Sequence, residues 1–374
     1  MSTRCKGVDA LKKDKRDFWL TVAALAALTA FVGLTQMGVL KLVDSYQIHV
    51  LNLCAIYTIL GLSMNLVNGF TGLFSLGQAG FMAIGAYVTA LLIMAPDVKE
   101  RVFYLEPIEP WLGALQCPFW VALLVGGILA AVVAFFIGFP VLRLRGDYLA
   151  IATLGFAEII RIIFLNTQTI TNGSMGVKSI PPTANLAWCF GVAALMVLFM
   201  LRLIHSSYGR AFKAIRDDEI AAEAMGINLF KHKMYSFMLS AFIAGVGGGL
   251  MASVVSAITP NLFRFTLAYD ILLIVVLGGM GSITGTVVAA FVITAAREWL
   301  RWLDAGFSVG PFTVPEIPGL RMVIFSALLM AIILFYRQGF FGSREFSWNG
   351  LFSFVRSLPG RIGRLFRRDK KEAA

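Results

Sequence analysis

Few residues in this sequence could make or break bonds, and their spacing argues against most such chemistry. His49, His205 and His232 stand far apart and form no HExxH-like pair, so they read as interfacial side chains and not as metal ligands. Cys5, Cys54, Cys117 and Cys189 fall in no CxxC or regular spacing, which leaves neither a metal site nor a disulfide framework to expect. No Ser/His/Asp set and no cluster of acids is apparent, so the sequence does not read as an enzyme. The GxxxxGK[ST] loop that cradles nucleotide phosphates is also missing. Two groups of charges remain. Glu158 and Arg161 lie three apart inside the apolar run GDYLAIATLGFAEIIRIIFLN, so they share a helix face and can pair. Pairing lowers the cost of charge in a bilayer, and a proton relay would need a further acid that does not follow. The second group is YGRAFKAIRDDEIAAEAMGI, residues 208–227, which carries Arg210, Lys213, Arg216, Asp217, Asp218, Glu219 and Glu223 between long uncharged stretches.

Those stretches set the architecture. The chain has 374 residues, 58% hydrophobic and only 14% charged, where a soluble domain carries about 25% charge. Apolar runs of span length recur without the alternation of a β-barrel, so the expected fold class is an all-α polytopic membrane protein. Ten segments emerge, at about 18–34, 50–67, 70–94, 119–142, 147–166, 185–204, 233–256, 268–279, 283–303 and 320–337. The eighth is too short for a regular crossing, so eight or nine spans with re-entrant pieces are alternatives to ten. The first segment follows a long basic stretch with no convincing A-x-A cleavage site, and is expected to be a retained span.

Basic residues give the orientation. With ten crossings, one side holds six Lys/Arg in 1–17, two in 143–146, six in 202–233 and nine after 336, against five on the other. The positive-inside rule then places both termini and the 206–232 loop in the cytoplasm, with 95–118 and 167–184 outside. The expected division is a basic N-terminus (1–17), a membrane domain (18–337) and a basic tail (338–374) lying near lipid headgroups. The net charge of +11 thus reflects topology; no basic surface interleaved with aromatics suggests nucleic acid.

Two stretches break the apolar pattern: NGFTGLFSLGQAGFMAIGAY (68–87) and LGGMGSITGTVVAAF (277–291). Unwound backbone at membrane depth must line a cavity or be buried in protein. Small residues can also serve close helix packing. If the breaks form a substrate path, Asn65, Ser75, Gln78 and Ser282 are its polar candidates. In 208–227, Ala211, Ala214, Ile215, Ala221, Ala222 and Met225 recur near helical spacing and Gly226 follows, which predicts a short helix. A free helix of that length is marginal in water, so it needs a surface to dock on.

The residues GRAFKAIRDDEIAAEAMGI resemble the cytoplasmic coupling segment of bacterial ABC importer permeases, and more narrowly the LivM-type branched-chain amino acid permease family. Against the general motif of EAA, three residues, then Gly, this chain reads Ile220-Ala221-Ala222, Glu223-Ala224-Met225, Gly226, with Glu219 one position early. GLFSLGQAGFMAIGAY (72–87), GDYLAIATLGFAEIIR (146–161) and LGGMGSITG (277–285) extend the resemblance over about residues 50–337. The resemblance implies a fold akin to type II importers and a docking helix for an ATPase. It implies Gly209 as a member of that helix, Arg210, Arg216, Asp218 and Glu219 as its surface contacts, and Ala221, Ala222 and Gly226 as its close-packing face. It also implies a second homologous permease subunit, two cytoplasmic ATPases that hydrolyse the ATP, and a periplasmic binding protein, in a bacterial inner membrane. This chain itself would bind no cofactor. A urea or short-amide permease of the same family is the near alternative. An ion-coupled secondary transporter is weaker, because Glu158 is expected to be paired and Asp147 and Asp270 lie near span ends.

Overall fold

The computed structural model describes residues 45–104, 106–144 and 146–300, with short pieces between 307 and 342. The N-terminal stretch 1–17, the expected first span 18–34, most of the tenth segment 320–337 and nearly all of the tail lie outside the described residues. Each of the other eight apolar segments holds a helix among its described residues. Among the described residues, five helices are long and apolar enough to cross a bilayer: α1 (Ser45–Asn65, continued by a π-helical turn, Leu66–Phe70), α5 (Phe119–Val141), α6 (Asp147–Asn166), α8 (Leu186–His205) and α11 (Leu229–Val255). The connecting helices are α2 (Gln78–Ile93), α3 (Pro96–Val102), α4 (Pro110–Gly113), α7 (Gln168–Thr171), α9 (Ser207–Asp217), α10 (Glu219–Ala224), α12 (Phe265–Gly278) and α13 (Ile283–Trp299). At 14 residues, α12 is about 21 Å long, short of a hydrocarbon core about 30 Å thick. A small antiparallel hairpin, β1 (Phe307–Val309) and β2 (Phe312–Val314), is a local exception that the apolar runs do not announce.

Several boundaries differ from the sequence expectation, and two of them have a visible local cause. The third segment, expected from residue 70, becomes helical only at Gln78. Residues 71–77 form a turn instead, held by Asn68, whose Oδ1 accepts from Ser75 N at 3.1 Å and whose Nδ2 donates to Ser75 O at 3.2 Å. These bonds give the backbone a partner that a helix would otherwise supply. Helix α11 starts at Leu229, four residues before the expected 233, because Asn228 caps it by accepting from Lys231 N at 3.0 Å.

The centre of the bundle is α11, which packs against α1, α2 and α5. Its contact with α2 is a backbone-to-backbone approach. A Cβ built on Gly85 would lie 2.0 Å from Gly245 O and 2.4 Å from Gly245 Cα, so only glycine fits. Outward faces of α5 and α6 carry exposed Phe136 and Ile151, as expected of surfaces that meet lipid or another membrane subunit.

The end of the bundle away from α9 and α10 is closed by pinned loops. Val177 and Ile258 exchange two backbone bonds, at 2.9 and 2.8 Å. Ser253 Oγ accepts from Thr183 N and Ala184 N and donates to Pro181 O. In the 95–118 connection, fully buried Lys99 donates from Nζ to Leu112 O at 2.9 Å and to Leu115 O. Burial pushes its ammonium pKa down, while the two carbonyls supply the partners an enclosed charge needs.

Candidate functional site

The charged segment folds as two helices and not one. Ser206 starts α9, its Oγ accepting from Gly209 N at 3.4 Å. The face of α9 formed by Gly209, Ala211, Phe212 and Ile215 is buried against the bundle. Gly209 is squeezed there, since a Cβ would sit 2.4 Å from Ile204 O. The single helix expected over this stretch breaks at Asp218. Its backbone is extended (φ −160°, ψ 115°), and its Oδ1 accepts from Ile220 N at 2.8 Å and Ala221 N at 3.1 Å. Asp218 thus acts as the cap of α10; a capping aspartate is more stable outside a helix than within one.

The end of α10 explains Gly226. Gly226 N donates to Glu223 O at 2.9 Å and Ile227 N donates to Ala222 O at 3.1 Å, the two bonds of a Schellman close. Gly226 adopts φ +82° with open space around it, so its role here is conformational. Gly226→Ala is expected to cost about 1 kcal/mol locally. Hydrogen exchange at 219–227 should accelerate, with little change in the melting of the whole chain.

Of the residues assigned to a close-packing face, only Ala222 is buried, and it turns toward this chain's own helices. Ala221 and Gly226 are exposed. Two large apolar side chains are instead nearly fully exposed, Ile220 on α10 at 81% and Met225 just past its end at 83%, with Glu223 also exposed. Sequence reasoning missed both as surface residues. Glu219 is tied to this chain through a 2.6 Å ion pair with Lys233 at the start of α11, and Lys233 is buried. Arg210 is exposed and bonds locally to Ser207 Oγ at 3.0 Å.

Arg216 points elsewhere. Its Nη1 donates to Gly69 O at 3.2 Å, at the end of the π-helical turn. Its Nε and Nη2 both donate to Asp217 Oδ1, at 3.1 and 2.9 Å. Lys213, one turn earlier, lies 5.9 Å from the centre of the Phe70 ring. The segment is therefore held against the first glycine-rich break by two cations on one helix face.

The two breaks are also joined to each other. Asn65 Nδ2 donates to Ser282 O at 2.9 Å and to Thr286 Oγ1 at 2.8 Å, while Asn65 Oδ1 accepts from Gly281 N at 2.8 Å. Gln78 Nε2 donates to Ser240 Oγ at 2.6 Å, and Ser63 Oγ donates to Ser240 O at 2.7 Å. Asn65, Ser75, Gln78 and Ser282 are all buried, and each bonds within the chain in this conformation. Glu158 and Arg161 pair at 2.6 Å, and the other carboxylate oxygen of Glu158 accepts from Phe265 N at 3.1 Å. That second bond fixes the start of α12 to α6 and gives the pair a structural task. A cavity of about 90 Å³ lies beside Tyr57, Ile274 and Thr294. Asp270 and Arg297 form a two-pronged pair in its wall, at 2.7 and 3.1 Å.

Comparison with known proteins places this geometry. LivM of Escherichia coli K12, a high-affinity branched-chain amino acid transport system permease protein, is 37% identical over 294 residues. LivM of Salmonella typhimurium LT2 is equally similar, and in both cases the match covers 70% of this chain and 65% of the relative. The chain thus spans just under two thirds of the length of these relatives. A probable LivM of Methanocaldococcus jannaschii is 24% identical over 309 residues, covering 75% of this chain and 89% of the relative. No solved structure matches the chain. The family model described as the permease component of branched-chain amino acid transport systems matches residues 46–334. That span takes in every long helix described above and both glycine-rich breaks, and the chain belongs to this family of membrane permeases.

Proposed function

We propose that this chain is a permease subunit of a binding-protein-dependent ABC importer for leucine, isoleucine and valine. The segment α9–α10 is its docking site for an ATPase. The observation that carries this reading is a two-helix segment anchored to the bundle on one face, with Ile220 and Met225 left bare on the other. Bare apolar side chains on a rigid, capped turn are what a groove in a soluble partner can bury. The partners follow from the family: a second, homologous permease subunit, two cytoplasmic ATPases and a periplasmic binding protein. The basic residues of 202–233 place the segment in the cytoplasm, and the same bias puts both termini there, in a bacterial inner membrane.

Movement of the ATPase pair on closing around ATP shifts α9–α10, and the shift rocks the spans that the segment touches. Proteoliposomes holding the full complex should accumulate labelled leucine only with internal ATP and external binding protein, and should ignore urea. Uptake driven by an ion gradient without ATP would sink the proposal, and urea uptake would move the substrate to the neighbouring branch of the family.

A further inference from the structure

We propose that Arg216 is the positioning residue through which the coupling segment moves both glycine-rich turns as one unit, and that it takes no part in gripping the ATPase. This rests on the docking role proposed above and adds the route by which docking reaches the membrane helices. Three observations meet at this side chain.

First, its guanidinium points inward to the start of the first break. Gly69 O is among the last carbonyls of the π-helical turn, an end that carries partial negative charge and lacks further helical donors. Second, the inner side of this otherwise exposed residue is closely packed. A Cβ on Gly72 would fall 2.8 Å from Arg216 Cγ, and one on Gly281 would fall 3.0 Å from Arg216 Nη1. The arginine thus lies against both breaks, which are 209 residues apart in sequence. Third, the breaks are tied together: Asn65, at the end of α1 just before the first, bonds Gly281, Ser282 and Thr286 on the second, and a Cβ on Gly69 would lie 2.4 Å from Gly281 N. Asp217 holds the other edge of the guanidinium, which fixes the fork toward Gly69. A displacement of α9 is therefore delivered to the ends of α1, α2, α12 and α13 through one planar group. Ile220 and Met225, on the far side of the Asp218 break, remain free to bind the partner.

The test compares Arg216→Gln with Ile220→Glu in the full complex. A reporter cysteine replaces exposed Met280 at the tip of the second turn, with Cys5 and Cys117 changed to serine. In the chain retaining Arg216, the rate at which a water-soluble maleimide modifies this cysteine should change on ATP binding. In R216Q, the ATPase should still copurify and hydrolyse ATP, leucine uptake should fall roughly tenfold, and the maleimide rate should no longer respond to ATP. Unchanged uptake in R216Q would overturn the inference. So would loss of ATPase capture, because Arg216 would then be a docking contact. Should R216Q fail to accumulate, Arg216→Lys keeps the charge without the fork, and the same outcomes apply to it. Normal capture by Ile220→Glu, whatever R216Q does, would count against the docking role and not against the link between the turns.

Discussion

Gly85→Val is expected to be the most damaging single substitution in the described part of the chain. The first side-chain carbon at residue 85 would lie 2.0 Å from a backbone oxygen of Gly245, and no rotamer change can relieve a clash with backbone. Helices α2 and α11 would have to separate along their contact, and Gly126 and Gly127 of α5 abut the same part of α11. Overpacking usually costs about 1–3 kcal/mol, and a backbone clash belongs at or above the top of that range. The effect would reach the first glycine-rich break, since α2 begins at Gln78, whose amide reaches Ser240 on α11. The expected result is a large fall in the melting temperature of the detergent-solubilised chain, or failure to accumulate in the membrane. Gly155→Val on α6 is the control, because a Cβ there meets nothing within 4 Å. Equal melting of the two variants would show that α2 and α11 do not approach as closely as drawn.

Much of this architecture was legible in the sequence because it follows from local composition. A run of some twenty apolar residues has few options in a bilayer, so the segments at 119–142, 147–166 and 185–204 match α5, α6 and α8 almost residue for residue. The pair Glu158–Arg161 was legible for the same reason, as a spacing of three on a helix permits it. What local composition could not supply was anything decided by a partner far along the chain. That Asn65 bonds residues 281, 282 and 286 follows from how two hairpins pack, and no periodicity encodes it. The two-helix form of α9–α10 escaped the sequence for a related reason. A single helix over 208–226 would put Ala221, Ala222 and Gly226 near one another, but the break at Asp218 resets the helix and turns Ala222 inward while leaving Ala221 outside. The acidic pair Asp217–Asp218 held that signal. Aspartate followed by a short helical stretch is a cap as readily as a solvated charge.

Substitutions on the two faces of α10 therefore both weaken capture but differ in their effect on the chain's own stability, and the loss of capture is the largest functional effect expected. Ile220→Glu places a carboxylate in the centre of the bare apolar surface, where Ile220 and Met225 are 81% and 83% exposed. The chain alone loses nothing by this, because both states of the residue face water, so insertion and melting should stay as they are. Capture of the ATPase should fail, since a buried, unpaired carboxylate at the core of an interface costs about 2 kcal/mol or more, roughly thirtyfold in affinity. Ala221→Glu should follow it, being exposed on the same turn. Ala222→Glu should behave differently. Ala222 is 4% exposed, and its carbonyl closes the Schellman bond from Ile227, so a charge there disrupts α10 before any partner arrives. Titrating the purified ATPase against each variant, alongside thermal melting of the chain alone, separates the cases. Weak capture with normal melting is expected for Ile220→Glu and Ala221→Glu, and weak capture with impaired melting for Ala222→Glu. Full capture by Ile220→Glu would remove α10 from the docking surface, and the partner would have to bind elsewhere on this end of the bundle.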